Sequence, residues 1–280
     1  MNWSLYSGLP KIDDYQRLLQ SDLFKSIECF SNEFARSQSA YLKGYRRKWV
    51  SDPLHQWSRQ WEYPFVFSRI SEYAGNAGDQ GELRILDAGS GITFFPYFLS
   101  SRFSNSMISC CDYDLSLGDA YSRLNRRLSG RTQFVPGDLR RLPFQNNTFD
   151  IIYCVSVLEH TNAHENIIAE FRRVLKKAGM LIVTFDISIN GEADIPPEKA
   201  EHLLAMLYRY FPRSKRVAFT NLMDIVREQD VVTTYFARQI NPDLLPWKYP
   251  LLTAIKTLIK LRLPKTVYRN LTFFCHAFEL

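Results

Sequence analysis

Ile85-Leu86-Asp87-Ala88-Gly89-Ser90-Gly91-Ile92-Thr93 decides how the rest of this chain is read. An apolar run, ELRILDAG, ends in Gly-x-Gly. Glycine lets the backbone turn sharply and lets a ligand approach without meeting a Cβ. A helix starting just beyond the turn offers free N–H donors to polar or anionic groups. Dinucleotide sites open in the same way, but they want a third small residue for close helix–strand packing. Here that place is held by Phe94, which disfavours NAD and FAD.

Working outward, the stretch 82–186 alternates strand and helix. SMISCCDYD, RTQFVPGD, FDIIYCVSV and AGMLIVTFD read as strands two to five, and AYSRLNRRL and ENIIAEFRRVLKK as helices between them. That rhythm predicts an α/β fold with a parallel sheet covered on both faces. Strand two ends at Asp112, 21 residues beyond Gly91, where a carboxylate accepts from both hydroxyls of a ribose. Asp114 is the nearby alternative; the alternation Ile108-x-Cys110-x-Asp112 favours Asp112. Strand three ends in Gly137-Asp138-Leu139. Asp138 is a candidate acceptor for an exocyclic adenine amine, with Leu139 and Tyr113 on either side of the ring.

ILDAGSG, CDYD, GDLRRLPFQNNTFDIIYCVSVLEH and FRRVLKKAGMLIVTFD, in this order and spacing, resemble the class I S-adenosylmethionine-dependent methyltransferases. The branch is the one whose members share LPF…FD…LEH and RVLKPGG, and the resemblance covers about residues 82–186. Lys176-Lys177-Ala178-Gly179 departs from the family's Lys-Pro-Gly-Gly, and a changed turn ahead of strand five is expected there. The resemblance implies a Rossmann-like, doubly wound sheet of seven strands, the last antiparallel. NLTFFCHAFEL is the candidate for that strand and DVVTTYFARQ for its partner. It implies S-adenosylmethionine as cofactor and S-adenosylhomocysteine as co-product. Gly89, Ser90 and Gly91 approach the methionine part, with Asp87 supporting their loop. Asp112 holds the ribose, Asp138 and Leu139 bind adenine, and the backbone near Val155 faces the cofactor's amino group.

Residues 1–80 are helical and aromatic-rich. Apolar residues recur at helical spacing in YQRLLQSDLFKSIECFSNEF. Three of the five Trp lie between Tyr41 and Phe67. In related enzymes a helix ahead of strand one closes over the cofactor. Aromatics of Trp57-Ser58-Arg59-Gln60-Trp61-Glu62-Tyr63-Pro64, Tyr63 among them, suit a sulfonium, and Arg59 suits the cofactor carboxylate. The same stripe also suits helix packing. Two units follow: an N-terminal lid and substrate segment over 1–80, and a methyltransferase domain over 81–280. Within the latter, 82–186 binds cofactor and 187–280 completes the sheet and faces the substrate.

His160, just after strand four, is the candidate base for a hydroxyl or ammonium acceptor; histidine there also lines pockets or is structural. His160 and His164 lack a visible third partner, so no metal is expected. Five Cys without finger spacing, and no signal-peptide pattern, fit a cytoplasmic protein. No apolar run approaches the roughly 18 residues that span a bilayer. The net charge of +6 is mild, and it reads as a solvated basic face rather than a nucleic-acid surface. LLTAIKTLIKLRL, apolar with lysines at helical spacing, packs on the sheet or lies on a membrane surface, and packing is favoured. The expected activity is methyl transfer to an oxygen or nitrogen of a small organic metabolite. The alternatives are a protein or nucleic-acid methyltransferase, disfavoured by Val155-Ser156-Val157 where Asn/Asp-Pro-Pro-Tyr would stand, and a non-catalytic cofactor-binding subunit. Composition and spacing leave the oligomeric state open.

Overall fold

The computed structural model describes residues 5–42, 52–77, 81–128, 131–191, 195–217, 230–245 and 270–280. The LLTAIKTLIKLRL segment lies outside them. Two helices open the chain, α1 (Ile12–Gln20) and α2 (Asp22–Ser37), followed by α3 (Arg59–Ala77). The long amphipathic pattern of the sequence is divided at Ser21. This residue is extended (ψ 153°), and its Oγ accepts from Phe24 N at 3.1 Å, capping α2.

The sheet is built from β1 (Leu83–Ala88), β2 (Ser106–Asp112), β3 (Thr132–Pro136), β4 (Phe149–Val155), β5 (Leu175–Ser188) and β6 (Leu271–Glu279). Its order is β3-β2-β1-β4-β5-β6, with the first five strands parallel and β6 antiparallel to β5. The connecting helices are α4 (Phe95–Arg102), α5 (Leu117–Asn125), α6 (His164–Val174) and α7 (Pro197–Tyr210). Both sheet faces are buried, which is why the strands read as nearly continuous apolar runs. Ile85, Ile108, Cys110, Ile151, Tyr153 and Ile182 face one core, which holds α1 to α5. Leu86, Cys111, Ile152, Cys154, Leu181 and Val183 face the other, with α6 and α7. Strand order reverses between β1 and β4, and a crevice opens beyond the carboxyl ends of strands at such a point.

Two sequence expectations are corrected. DVVTTYFARQ is not a strand: Thr234–Ile240 is a helix, α8, capped by Thr233 Oγ1, which accepts from Phe236 N at 3.2 Å. The β-branched run raised strand propensity, and the threonine cap overrode it. The described residues supply six strands of the expected seven-stranded sheet. Gly8 meets the far edge of β6, exchanging hydrogen bonds of 2.8 and 3.0 Å with Cys275. Finally, Lys176-Lys177-Ala178-Gly179 is not a turn ahead of β5 but an irregularity inside it. Phe149 pairs with Leu175 and Ile151 with Met180, so these four residues bulge between the two pairs. A Cβ on Gly179 would stand 2.7 Å from Leu175 Cγ and 2.9 Å from Asp150 O, so only glycine fits.

The aromatic segment before β1 is packed as core. Trp57 meets Phe273 edge-on at 5.1 Å, and Tyr63 stacks on Phe95 at 4.5 Å. Phe94, the residue that replaces the small one of dinucleotide sites, is buried against Tyr63 and Phe30.

His55 ties α2 to the entry of α3. Its Nδ1 lies 2.6 Å from Asp52 Oδ2 and its Nε2 lies 2.9 Å from Glu28 Oε1. Hydrogen bonding to Asp52 raises its pKa to about 9, against the opposing effect of burial and with the help of Glu28. A folded-state pKa above the unfolded value gives stability that is complete below about pH 6.5 and is lost as pH rises through about 9. The ring is 30% exposed, and after solvent screening this is worth on the order of 1 kcal/mol. His55→Gln should therefore melt below wild type at pH 6, with the gap closing by pH 10. A gap that widens with pH would contradict the assignment.

Candidate functional site

The crevice at the strand reversal is built on the loop after β1. Gly89 has φ +78° and Gly91 φ +49°. A Cβ on Gly89 would stand 2.6 Å from Val157 Cγ2, so the loop lies directly against the chain leaving β4. Gly89 N and Ser90 N donate to Cys111 O at 2.8 and 3.1 Å, which ties the loop to the end of β2. Tyr121 Oη donates to Gly91 O at 2.9 Å from α5.

Asp112 joins three loops. Its Oδ2 accepts from Gly91 N at 2.9 Å, its Oδ1 from Asp114 N at 3.0 Å, and its carbonyl from Gly137 N at 2.9 Å. Asp112 and Asp114, two residues apart, have the same phase, so alternation does not distinguish them; Asp112 is the one in contact with Gly91 N. Asp114 instead accepts from Ser116 N at 3.0 Å within its own turn. Tyr113 is 79% exposed beside this carboxylate, and Leu139 is buried. Asp138 is held by Arg140, whose Nε lies 2.9 Å from both carboxylate oxygens, and this guanidinium lowers the acid's pKa. Asp87 is buried beneath the loop. Burial, with Asp112's charge adding to it, pushes its pKa up to about 8.

On the other side of the reversal, Val155 ends β4 half-buried and Ser156 follows with φ +48°. A left-handed conformation at a non-glycine residue needs support, and Ser156 receives it from a buried network. Ser156 Oγ donates to Glu62 Oε1 at 2.9 Å, Thr184 Oγ1 donates to the same oxygen at 2.5 Å, and Ser156 N donates to Thr184 O at 3.0 Å. Arg59 pairs with Glu62 and donates to Ser156 Oγ at 2.6 Å. Burial works against the guanidinium's charge, but Glu62, Tyr63, Asp186 and Glu159 outweigh it and raise the Arg59 pKa. Burial also raises the Tyr63 hydroxyl.

The turn Leu158–His160 follows, with Glu159 buried and His160 exposed. His164 Nε2 is 2.9 Å from Leu158 O. Among the described residues no group of three His, Cys, Asp or Glu side chains is placed to hold a metal. None of their helices is long and apolar enough to cross a membrane.

The expected residues therefore fall into two groups. Asp87, Gly89, Ser90, Gly91, Asp112 and Tyr113 gather on the β1–β2 side, with Asp138 and Leu139 beyond them at β3. Val155, Arg59 and Tyr63 lie on the β4 side, and His160 lies on the surface. The sequence reading missed Glu62, Ser156, Glu159, Thr184, Asp186 and Arg140. Only the Arg59–Glu62 spacing, one helical turn, signalled any of them; Glu62 and Thr184 are 122 positions apart.

Residues 86–183 match a protein-family model described as a methyltransferase domain. The chain is 25% identical over 272 residues to sterol 24-C-methyltransferase erg6 of Schizosaccharomyces pombe, covering 86% of this chain and 68% of that enzyme. It is 32% identical over 133 residues to an uncharacterised protein of Methanocaldococcus jannaschii, covering 48% of this chain and 52% of the other. A malonyl-[acyl-carrier protein] O-methyltransferase of Laribacter hongkongensis is 29% identical over 106 residues, covering 35% and 36% of the two chains.

Gly89→Ala adds both the clash with Val157 and strain at a positive φ. It should cost about 2–4 kcal/mol of stability in urea unfolding, and Val157→Ala in the same chain should restore part of the loss. A neutral Gly89→Ala would contradict this geometry.

Proposed function

The chain belongs to the class I S-adenosylmethionine-dependent methyltransferases, and from that premise we propose that it methylates an oxygen or nitrogen of a small organic metabolite. S-adenosylmethionine supplies an electrophilic methyl on a sulfonium, whose leaving group is the neutral thioether of S-adenosylhomocysteine. The observation that carries the cofactor placement is the Asp112 carboxylate resting on Gly91 N–H, in a loop whose Gly89 has no room for a Cβ.

In this reading the Gly89–Ser90–Gly91 loop lies along the methionine part, and Asp87 steadies it from below. Asp112 takes the ribose hydroxyls, with exposed Tyr113 beside them. Asp138 and Leu139 take adenine, and Arg140 keeps Asp138 ionised as a hydrogen-bond acceptor. The backbone at Val155 receives the amino group, and Arg59 turns its remaining donors to the cofactor carboxylate. Tyr63 and the rest of the 1–80 segment wall the acceptor side. His160 receives the acceptor's proton at the mouth of the crevice, where its exposed ring exchanges protons with water.

The protein's contribution is alignment of the acceptor with the methyl carbon, an effect that supplies roughly 7–11 kcal/mol in well-oriented reactions. Exclusion of water by the packed α3 aromatics adds to it. The name of the fission-yeast relative specifies methylation at carbon, and that is the second reading. Transfer from methyl-13C cofactor separates the two, because the chemical shift of the new methyl distinguishes carbon from oxygen and nitrogen.

Calorimetric titration tests the cofactor site. Wild type should bind S-adenosylhomocysteine at micromolar Kd, and Asp112→Ala should bind at least about tenfold more weakly, a loss of about 1.4 kcal/mol. Absence of binding by wild type, or equal binding by the variant, would overturn the placement.

A further inference from the structure

Glu62, in the first turn of α3, is a carboxylate with no exposed surface. Its Oε1 accepts from Ser156 Oγ at 2.9 Å and from Thr184 Oγ1 at 2.5 Å, and its Oε2 faces the Arg59 guanidinium. Cohesion alone does not call for charges there, because a buried ion pair is often no more stabilising than apolar side chains of the same volume. What this pair does is fix directions. It fixes them for the two groups that would receive the methionine end of the cofactor.

The first is the Val155 carbonyl. Ser156 N–H donates to Thr184 O on β5 at 3.0 Å. The carbonyl and the N–H of one trans peptide point in opposite directions. Val155 O therefore points away from β5, to the side of β4 on which β1 lies. Pairing of β4 with β1 stops at Tyr153, two residues earlier, and the glycine loop leaves β1 just beyond. This orientation goes with the left-handed φ of Ser156, which a non-glycine residue keeps only under restraint. Glu62 supplies the restraint from two sides. It holds Ser156 Oγ, and it holds the Thr184 side chain, whose Oγ1 also accepts from Ser156 N at 3.2 Å.

The second is Arg59. Among the described residues its hydrogen bonds are all made by Nη1, to Ser58 Oγ, Glu62 Oε2 and Ser156 Oγ. Nε and Nη2 share the other edge of the fork, and such an edge receives a carboxylate through two parallel bonds. The side chain keeps 19% of its surface open, so the fork is held without being sealed.

We propose that Glu62 is the positioning residue for the methionine end of the cofactor. It fixes the Val155 carbonyl for the ammonium and the Arg59 fork for the carboxylate, and so makes the site prefer the complete amino-acid nucleoside over the bare nucleoside. This rests on the methyltransferase reading above and deepens it. In this role neither Glu62 nor Thr184 touches the ligand; they act through Ser156, Val155 and Arg59.

The test uses the full chain and calorimetric titration with two ligands, S-adenosylhomocysteine and 5′-methylthioadenosine, which lacks both the ammonium and the carboxylate. Glu62→Gln keeps the shape and an acceptor for Ser156 and Thr184, but it turns an amide NH2 on a guanidinium that can only donate. It should bind S-adenosylhomocysteine at least about tenfold more weakly, and 5′-methylthioadenosine within about twofold of wild type. Thr184→Val keeps the side-chain shape and removes the hydroxyl between Ser156 and Glu62. It should lose about threefold for S-adenosylhomocysteine and nothing for the nucleoside, and it decides the matter if Glu62→Gln does not fold. A merely structural role would weaken both ligands together, and that result overturns the proposal. So does wild-type affinity for both ligands in a folded Glu62→Gln chain, or in Thr184→Val where Glu62→Gln does not fold. A wild type that binds the two ligands equally overturns it as well. Failure of wild type to bind S-adenosylhomocysteine or 5′-methylthioadenosine at all is a different result, and it strikes the cofactor reading itself.

Discussion

Gly91 N–H points at the Asp112 carboxylate, and much of the molecule is arranged so that it can. The bond requires β1 and β2 to end side by side, which the parallel register from Leu83↔Ser106 to Ala88↔Cys111 ensures. It requires a glycine loop lying flat against Val157, and it requires Tyr121 to hold Gly91 O from α5. The carboxylate is thereby fixed in direction before any ligand arrives. Preorganised polar groups of this kind do most of the work where the reaction itself asks for few chemical groups.

The second constraint is electrostatic and lies across the strand reversal. Glu62, fully buried on α3, is reached by Arg59 from its own helix, by Ser156 from the end of β4 and by Thr184 from β5. One carboxylate thus fixes α3, the helix that leads into the sheet, to the ends of β4 and β5. Removing one partner of such a pair leaves an uncompensated charge, so the network is specific as well as cohesive. It also holds Ser156 in its left-handed conformation. The two halves of the crevice accordingly differ in kind. One is a glycine loop with a ready carboxylate, and the other is a buried acidic network.

Much of this was legible in the sequence because both faces of the sheet are covered. Runs such as Ile85–Ala88 and Ile151–Val155 stand out as apolar, and the glycines and Asp112 fall where strands end. The misreadings have local causes. Thr233 caps a helix in a run whose β-branched residues suggested a strand. Lys176–Gly179 resembles a turn by composition, but it sits within β5, where Lys176 reaches Asp150 at 2.7 Å. The acidic network was invisible for a different reason. Residues 62, 156, 159, 184 and 186 come together only once the strand order is known, and no spacing along the chain encodes that order. The aromatic stretch entering α3 also illustrates the limit: Trp57, Trp61 and Phe65 have the composition of a cofactor cover and the burial of a core.

The seating of the cofactor across the strand reversal, with its nucleoside over β1–β3 and its methionine end reaching Val155 and Arg59, is the central claim. A crystal structure of the chain with S-adenosylhomocysteine bound tests it most directly. The account predicts the ribose hydroxyls on Asp112, adenine between Tyr113 and Leu139, and the amino group of the methionine end at Val155. A nucleoside seated over β4 and β5, or an Asp112 carboxylate still on Gly91 with no contact to the ligand, would contradict it.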